Sequence, residues 1–126
     1  MRTKIIYEDK SILVVYKPAG LATQTDKVGQ QDLVSEIKNY TGSDYLGLIH
    51  RLDQPVEGLL VFAKTRGAVA ALARQLVQGT LNKRYLAAVC GKPRPKEGTL
   101  VDYLRKDGQR AEVVTGKESE YADAKL

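Results

Sequence analysis

A charged turn set between two apolar runs limits what this chain can fold into more than any other feature. Leu46, Leu48 and Ile49 lead into His50-Arg51-Leu52-Asp53-Gln54-Pro55-Val56-Glu57, and Gly58-Leu59-Leu60-Val61-Phe62-Ala63 follows. The second run has strand length and carries β-branched and aromatic members, so it belongs in a core. The residues before it must therefore turn the chain at the edge of that core. Pro55 disfavours helix at the residue it follows, and Gly58 permits a backbone geometry or a close approach that a side chain would block. Arg51 and Asp53 are expected close to buried backbone, and Asp53 is the residue that a function has to explain.

The rest of the chain supplies elements around this turn. Lys4-Ile5-Ile6-Tyr7 and Ile12-Leu13-Val14-Val15-Tyr16 read as a hairpin joined by Glu8-Asp9-Lys10-Ser11. Lys17-Pro18-Ala19-Gly20 ends it, with Lys17 expected as a solvated side chain beside the turn. Gln31 to Tyr40 reads as a helix with Leu33, Val34, Ile37 and Tyr40 on one face, Asp32 and Glu36 in its first half and Gly42 just beyond its end. Val69, Leu72, Ala73, Leu76 and Val77 recur at helical spacing before Gly79. Leu81 to Cys90 then reads as a strand, which would complete a strand, helix, strand unit. Gly91 to Gly98 is a proline and glycine loop holding Lys92, Arg94 and Lys96. Thr99 to Leu104 and Ala111 to Thr115 are strand candidates around Lys106-Asp107-Gly108-Gln109, where Asp-Gly signals a hairpin.

Composition narrows the function classes. At 126 residues the chain reads as one domain, and 43% hydrophobic with 28% charged residues fits a soluble globular protein. No apolar run approaches the ~20 residues that span a bilayer, and the N-terminus shows no secretory apolar segment, so a cytoplasmic protein is expected. Cys90 is the only cysteine and His50 the only histidine. That leaves no disulfide and too few soft ligands for a structural zinc site. The net charge of +5 fits a polyanionic partner, although charge alone weighs equally for a basic protein that binds none. Asp53 and Glu57 also raise a paired-carboxylate glycosidase, but closeness in sequence does not set the separation such a pair requires.

Three passages in order carry a family resemblance. They are Ile12-Leu13-Val14-Val15-Tyr16-Lys17-Pro18-Ala19-Gly20-Leu21; His50-Arg51-Leu52-Asp53 with Gly58-Leu59-Leu60 and Ala63-Lys64-Thr65; and Lys83-Arg84-Tyr85-Leu86-Ala87-Ala88-Val89-Cys90-Gly91. Together they resemble the RluA-type RNA pseudouridine synthases, which isomerise uridine in ribosomal or transfer RNA. The resemblance implies an α+β fold with a mixed, mainly antiparallel sheet covered by helices, and residues 1–126 as a single catalytic domain incomplete at its C-terminus. Val56-Glu57 departs from the Thr-Ser that many members carry, and a later Gly-Arg-containing motif has no match before Leu126. By the same pattern, Tyr121 to Leu126 opens another strand. A chain so shortened would lack turnover and would dimerise through an exposed sheet edge.

The resemblance also assigns roles. Asp53 is implied as the nucleophile, with Tyr85 as the catalytic aromatic that stacks on the uracil and assists proton transfer. Arg51, His50, Lys83 and Arg84 form the implied RNA-binding or base-flipping set, within which His50 takes a structural hydrogen-bonding role rather than that of a general base. The turn at Lys17 is implied as a support of the site. Structured RNA is the implied partner, and neither a cofactor nor a metal is called for. Two other readings stand beside this one: a non-catalytic RNA-binding fragment, and a glycoside-bond hydrolase using Asp53 and Glu57.

Overall fold

The computed structural model describes residues 3–108 and 110–114, together with the backbone of residues 124 and 125. The chain divides into two compact units, Met1–Arg84 and Tyr85–Leu126. In the first, β1 (Lys4–Glu8), β2 (Ile12–Lys17), β3 (Gly47–Leu48) and β4 (Gly58–Ala63) form a sheet of order β1-β2-β4-β3 in which every pairing is antiparallel. Asp9 closes the expected β1-β2 hairpin, its carboxylate accepting from the N–H groups of Ser11 at 2.7 Å and Ile12 at 2.8 Å. Along β2 the residues alternate between buried and half-buried, as a strand with period two requires. Leu13 then stands opposite Phe62 and Val15 opposite Leu60, and all four are buried.

Two helices pack on this sheet. α1 (Leu33–Thr41) buries Leu33 and Ile37 in the cluster with Leu13, Val15, Leu60 and Phe62. It starts two residues later than the pattern predicts because Asp32 is its N-cap: the carboxylate accepts from Ser35 N–H at 2.7 Å instead of lying inside the helix. Gly42 ends it with φ of 65°, as expected. α2 (Arg66–Val77) is capped by Thr65 and lies against β3 and β4, with Val69 over Gly47 and Ala63. Ala63 is an odd-numbered position of β4, and Leu60 and Phe62 are even-numbered, so α2 covers the face opposite α1.

The second unit holds β5 (Val101–Asp107), β6 (Arg110–Val114) and β7 (Ala124–Lys125) in the order β6-β5-β7, again antiparallel. The predicted hairpin forms with a shift. Asp107 pairs with Arg110 inside the ladder, and Gly108, with φ of 59°, takes the first loop position where a primed turn needs positive φ. Ala124–Lys125 pairs with β5 within the strand expected over 121–126; positions 121–123 and 126, like Gln109 of the turn, lie outside the described residues. The strand expected over Leu81–Cys90 does not form, and with it goes the strand, helix, strand unit. Leu86 is fully exposed and Val89 largely so. An apolar run records strand propensity, but a strand exists only where a neighbour takes its N–H and C=O groups, and none does among the described residues.

Gly47 and Gly67 test this packing in opposite directions. A Cβ on Gly47 would overlap Val69 Cγ2 and stand 3.0 Å from Ala63 Cβ. Gly47→Ala is expected to destabilise by about 1–3 kcal/mol. A Cβ on Gly67, inside α2, meets nothing. Gly67→Ala should be neutral or stabilise by up to ~1 kcal/mol, because it lowers the entropy of the unfolded chain. Urea denaturation of both variants reads the two signs.

Candidate active site

The site is built from two loops clipped together, one after β2 and one between β3 and β4. Lys17 holds them from beneath. The period of β2 carries it inward after Leu13 and Val15, so it is fully buried rather than solvated, against expectation. Its ammonium donates to the carbonyls of Pro18 at 3.1 Å, Leu21 and Gln54 at 3.1 Å. Opposite Lys17 in the ladder stands Gly58, with φ of 153°, and a Cβ there would come within 3.3 Å of Leu52 Cδ1. Only glycine combines that backbone with the approach of buried Leu52.

Further rungs tie the loops together above Lys17. Gly20 N–H donates to Gln54 O at 2.8 Å, and the Gln54 amide returns a bond to Gly20 O at 3.1 Å. Thr23 brackets Leu52: its hydroxyl donates to Leu52 O at 2.6 Å and accepts from Leu52 N–H at 3.2 Å. The first loop is itself anchored to α1, because Ala22 O and Thr23 O accept from the first helical N–H groups, those of Leu33 and Val34, at 2.9 and 3.1 Å. Those N–H groups have no partner within the helix, so the loop satisfies them and is fixed in return.

Asp53 sits between the two pinned residues, Leu52 and Gln54. Its carbonyl closes a turn with Val56 N–H at 2.9 Å, while its side chain is exposed. Arg51 is exposed too, and donates to Gln24 Oε1 at 3.0 Å. His50 turns the other way: Nε2 accepts from Val61 N–H at 3.3 Å and Nδ1 is buried without a partner among the described residues. Burial, assisted by the positive charge of Lys83, holds its pKa below the usual histidine value. Glu57 accepts from the Tyr16 hydroxyl at 2.8 Å, and that bond raises the tyrosine pKa.

Of the remaining expected residues, Lys83 and Arg84 are exposed at the end of the first unit, and Tyr85 is exposed in the second. The sequence reading missed Thr23, Gln24 and Tyr16, each of which grips a residue of the central turn. Their partners lie 27 to 41 positions away, so no local pattern marks them.

The pinned turn, with Arg51 and Asp53 at its surface, can be set beside known proteins. A family model described as RNA pseudouridylate synthase matches residues 11–125. The chain belongs to this family. Among its relatives is an RNA pseudouridine synthase of Bacillus subtilis, 38% identical over 82% of this chain and 36% of that protein. The ribosomal large subunit pseudouridine synthase C of Rickettsia prowazekii is 33% identical over 97% of this chain and 40% of that protein. The synthase D of Nitrosomonas europaea is 39% identical over 71% and 27%. The chain thus spans less than half the length of these relatives. The solved structure of human RNA pseudouridylate synthase domain containing 4 shares the fold, with a TM-score of 0.68 and 23% identity over 91% of this chain and 49% of that one.

Two outcomes follow from the placement of Lys17 and His50. Lys17→Met removes the donor from the buried carbonyl of Leu21 and the part-buried carbonyls of Pro18 and Gln54, and should cost about 2–4 kcal/mol, since a buried unsatisfied group carries ~1–3 kcal/mol and a part-buried one less. Lys17→Arg should not rescue it, because a planar guanidinium cannot aim like a compact ammonium. Denaturant titration measures both. The pH dependence follows from His50. Below pH ~6.5 the unfolded chain binds a proton that the folded ring refuses, so stability is full above that pH and declines as pH falls towards the lower folded pKa. His50→Gln should remove this part of the slope in melts between pH 5 and pH 8, a range of about three units centred on the ordinary histidine value.

Proposed function

We propose that this chain supports the isomerisation of uridine to pseudouridine in RNA, with Asp53 as the nucleophile. The observation that carries the reading is the placement of Asp53: an exposed carboxylate on a turn whose neighbours on both sides are hydrogen-bonded to the opposing loop. Among the described residues no donor engages that carboxylate. The reaction breaks the bond from sugar C1′ to base N1, turns the base, joins C1′ to C5 and releases the C5 proton. It consumes no electrons. What it needs from the protein is a nucleophile held in place against a nucleotide withdrawn from its stack.

The other roles follow the same reading. Arg51, always charged and able to stack or hydrogen-bond, faces the RNA with Lys83 and Arg84 and helps hold the target nucleotide out. Tyr85 stacks on the uracil and assists removal of the C5 proton, a stacked base being worth about 1–3 kcal/mol. The names of two relatives refer to the ribosomal large subunit, which favours ribosomal over transfer RNA as substrate. A cytoplasmic setting accompanies such a substrate.

The test is turnover on ribosomal RNA, scored by chemical labelling of pseudouridine because the isomerisation leaves the mass unchanged. It is run on this chain and on a chain extended to the length of the relatives. Asp53→Asn should abolish product wherever the parent forms it, while RNA affinity stays within several-fold, because the amide is nearly isosteric but a far weaker nucleophile. Substantial turnover by the variant would sink the assignment. Product identity separates the other readings, since a binding fragment leaves the RNA unchanged and a hydrolase releases free base. RNA affinity should fall as salt rises, and Arg51→Ala should reduce turnover more than binding.

A further inference from the structure

We propose that His50 is a positioning residue for the Asp53 turn: its neutral ring replaces the next residue of β3 in the ladder, and protonating that ring releases the hold. The inference rests on the reading of Asp53 as the reacting group. The register pairs Gly47 with Ala63 and Leu48 with Phe62, so the next pair would be Ile49 with Val61. β3 ends at Leu48 instead. Val61 N–H is taken at 3.3 Å by His50 Nε2, a side-chain nitrogen standing where a strand would offer a carbonyl. The backbone is thereby freed to leave the sheet, yet remains tethered to it one residue before Arg51. Arg51 then lies between the tethers at His50 and Leu52, and Asp53 between those at Leu52 and Gln54.

The hydrogen bond fixes the chemistry of the ring. A nitrogen that accepts carries no proton, so the neutral ring bears its proton on Nδ1, which is buried. Neither nitrogen is then available as a general base. In the imidazolium both nitrogens are donors, and Nε2–H would face Val61 N–H donor to donor. Protonation and the tether exclude one another. Lys83 is the charged group whose field reaches the ring, and it acts with burial against protonation, so the tether is closed at neutral pH.

His50 is the only histidine, so its ring nitrogens can be resolved in long-range proton–nitrogen NMR spectra of this chain, with no RNA and no turnover. The Nδ1–H tautomer is expected at neutral pH. Hydrogen-exchange protection of Val61 N–H should fall about tenfold in His50→Ala, and in the parent as pH drops through the ring's titration, with the amide signals of Arg51, Leu52 and Asp53 shifting alongside. His50→Gln, whose side-chain oxygen can accept the same N–H without titrating, should keep that protection across the range. An Nε2–H tautomer would overturn the proposal. So would unchanged Val61 protection and unchanged signals at 51–53 in His50→Ala; if that variant fails to fold, the tautomer and the pH series against His50→Gln decide. An active Asp53→Asn would remove the nucleophile while leaving these signals intact, so the two failures are distinguishable.

Discussion

The buried ammonium of Lys17 is the constraint to which the rest of the site answers. A charge removed from water is tolerated only where polar groups replace its hydration. Here the carbonyls of Pro18, Leu21 and Gln54 do so. Because those carbonyls belong to two different loops, satisfying one charge fixes where both loops lie. Gly58 makes the arrangement fit, for the residue across the ladder from Lys17 carries no side chain and leaves its place to Leu52.

From that base the two loops bond rung by rung, through Gly20 with Gln54, Thr23 with Leu52 and Gln24 with Arg51. The first loop also answers the free N–H groups of α1, so helix, strand and turn share one network. A side chain carried by such a turn loses little further entropy when it meets a substrate, which is the advantage of a preorganised site. The cost falls on the local fold, since removing the Thr23 rung leaves the buried N–H and C=O groups of Leu52 without their partner.

The charges around the turn are sorted by what engages them. Glu57 is occupied by Tyr16, Asp32 by the N–H groups of Ser35 and Thr25, and His50 by Val61. Asp53 remains with its carboxylate at the surface. The bond from Tyr16 to Glu57 fastens that acid to β2, which weakens any pairing of Asp53 with Glu57 as a hydrolytic couple.

The sequence by itself determined the elements whose signals are local. The β1-β2 hairpin, the Gly42 stop of α1, the apolar repeat of α2 and the hairpin around Gly108 all depend on residues within a turn or two of one another. It also determined the central charged turn and the family, because Arg51 and Asp53 interrupt apolar runs and three motifs follow in order. Only the tertiary structure decided that Lys17 is buried and that Thr23, Gln24 and Tyr16 grip the turn. It also decided that His50 faces the sheet and that the apolar run from Tyr85 to Val89 forms no strand. The reason is the same in each case. A hydrogen bond or a ladder needs a second partner, and the distance along the chain to that partner is written in no local pattern.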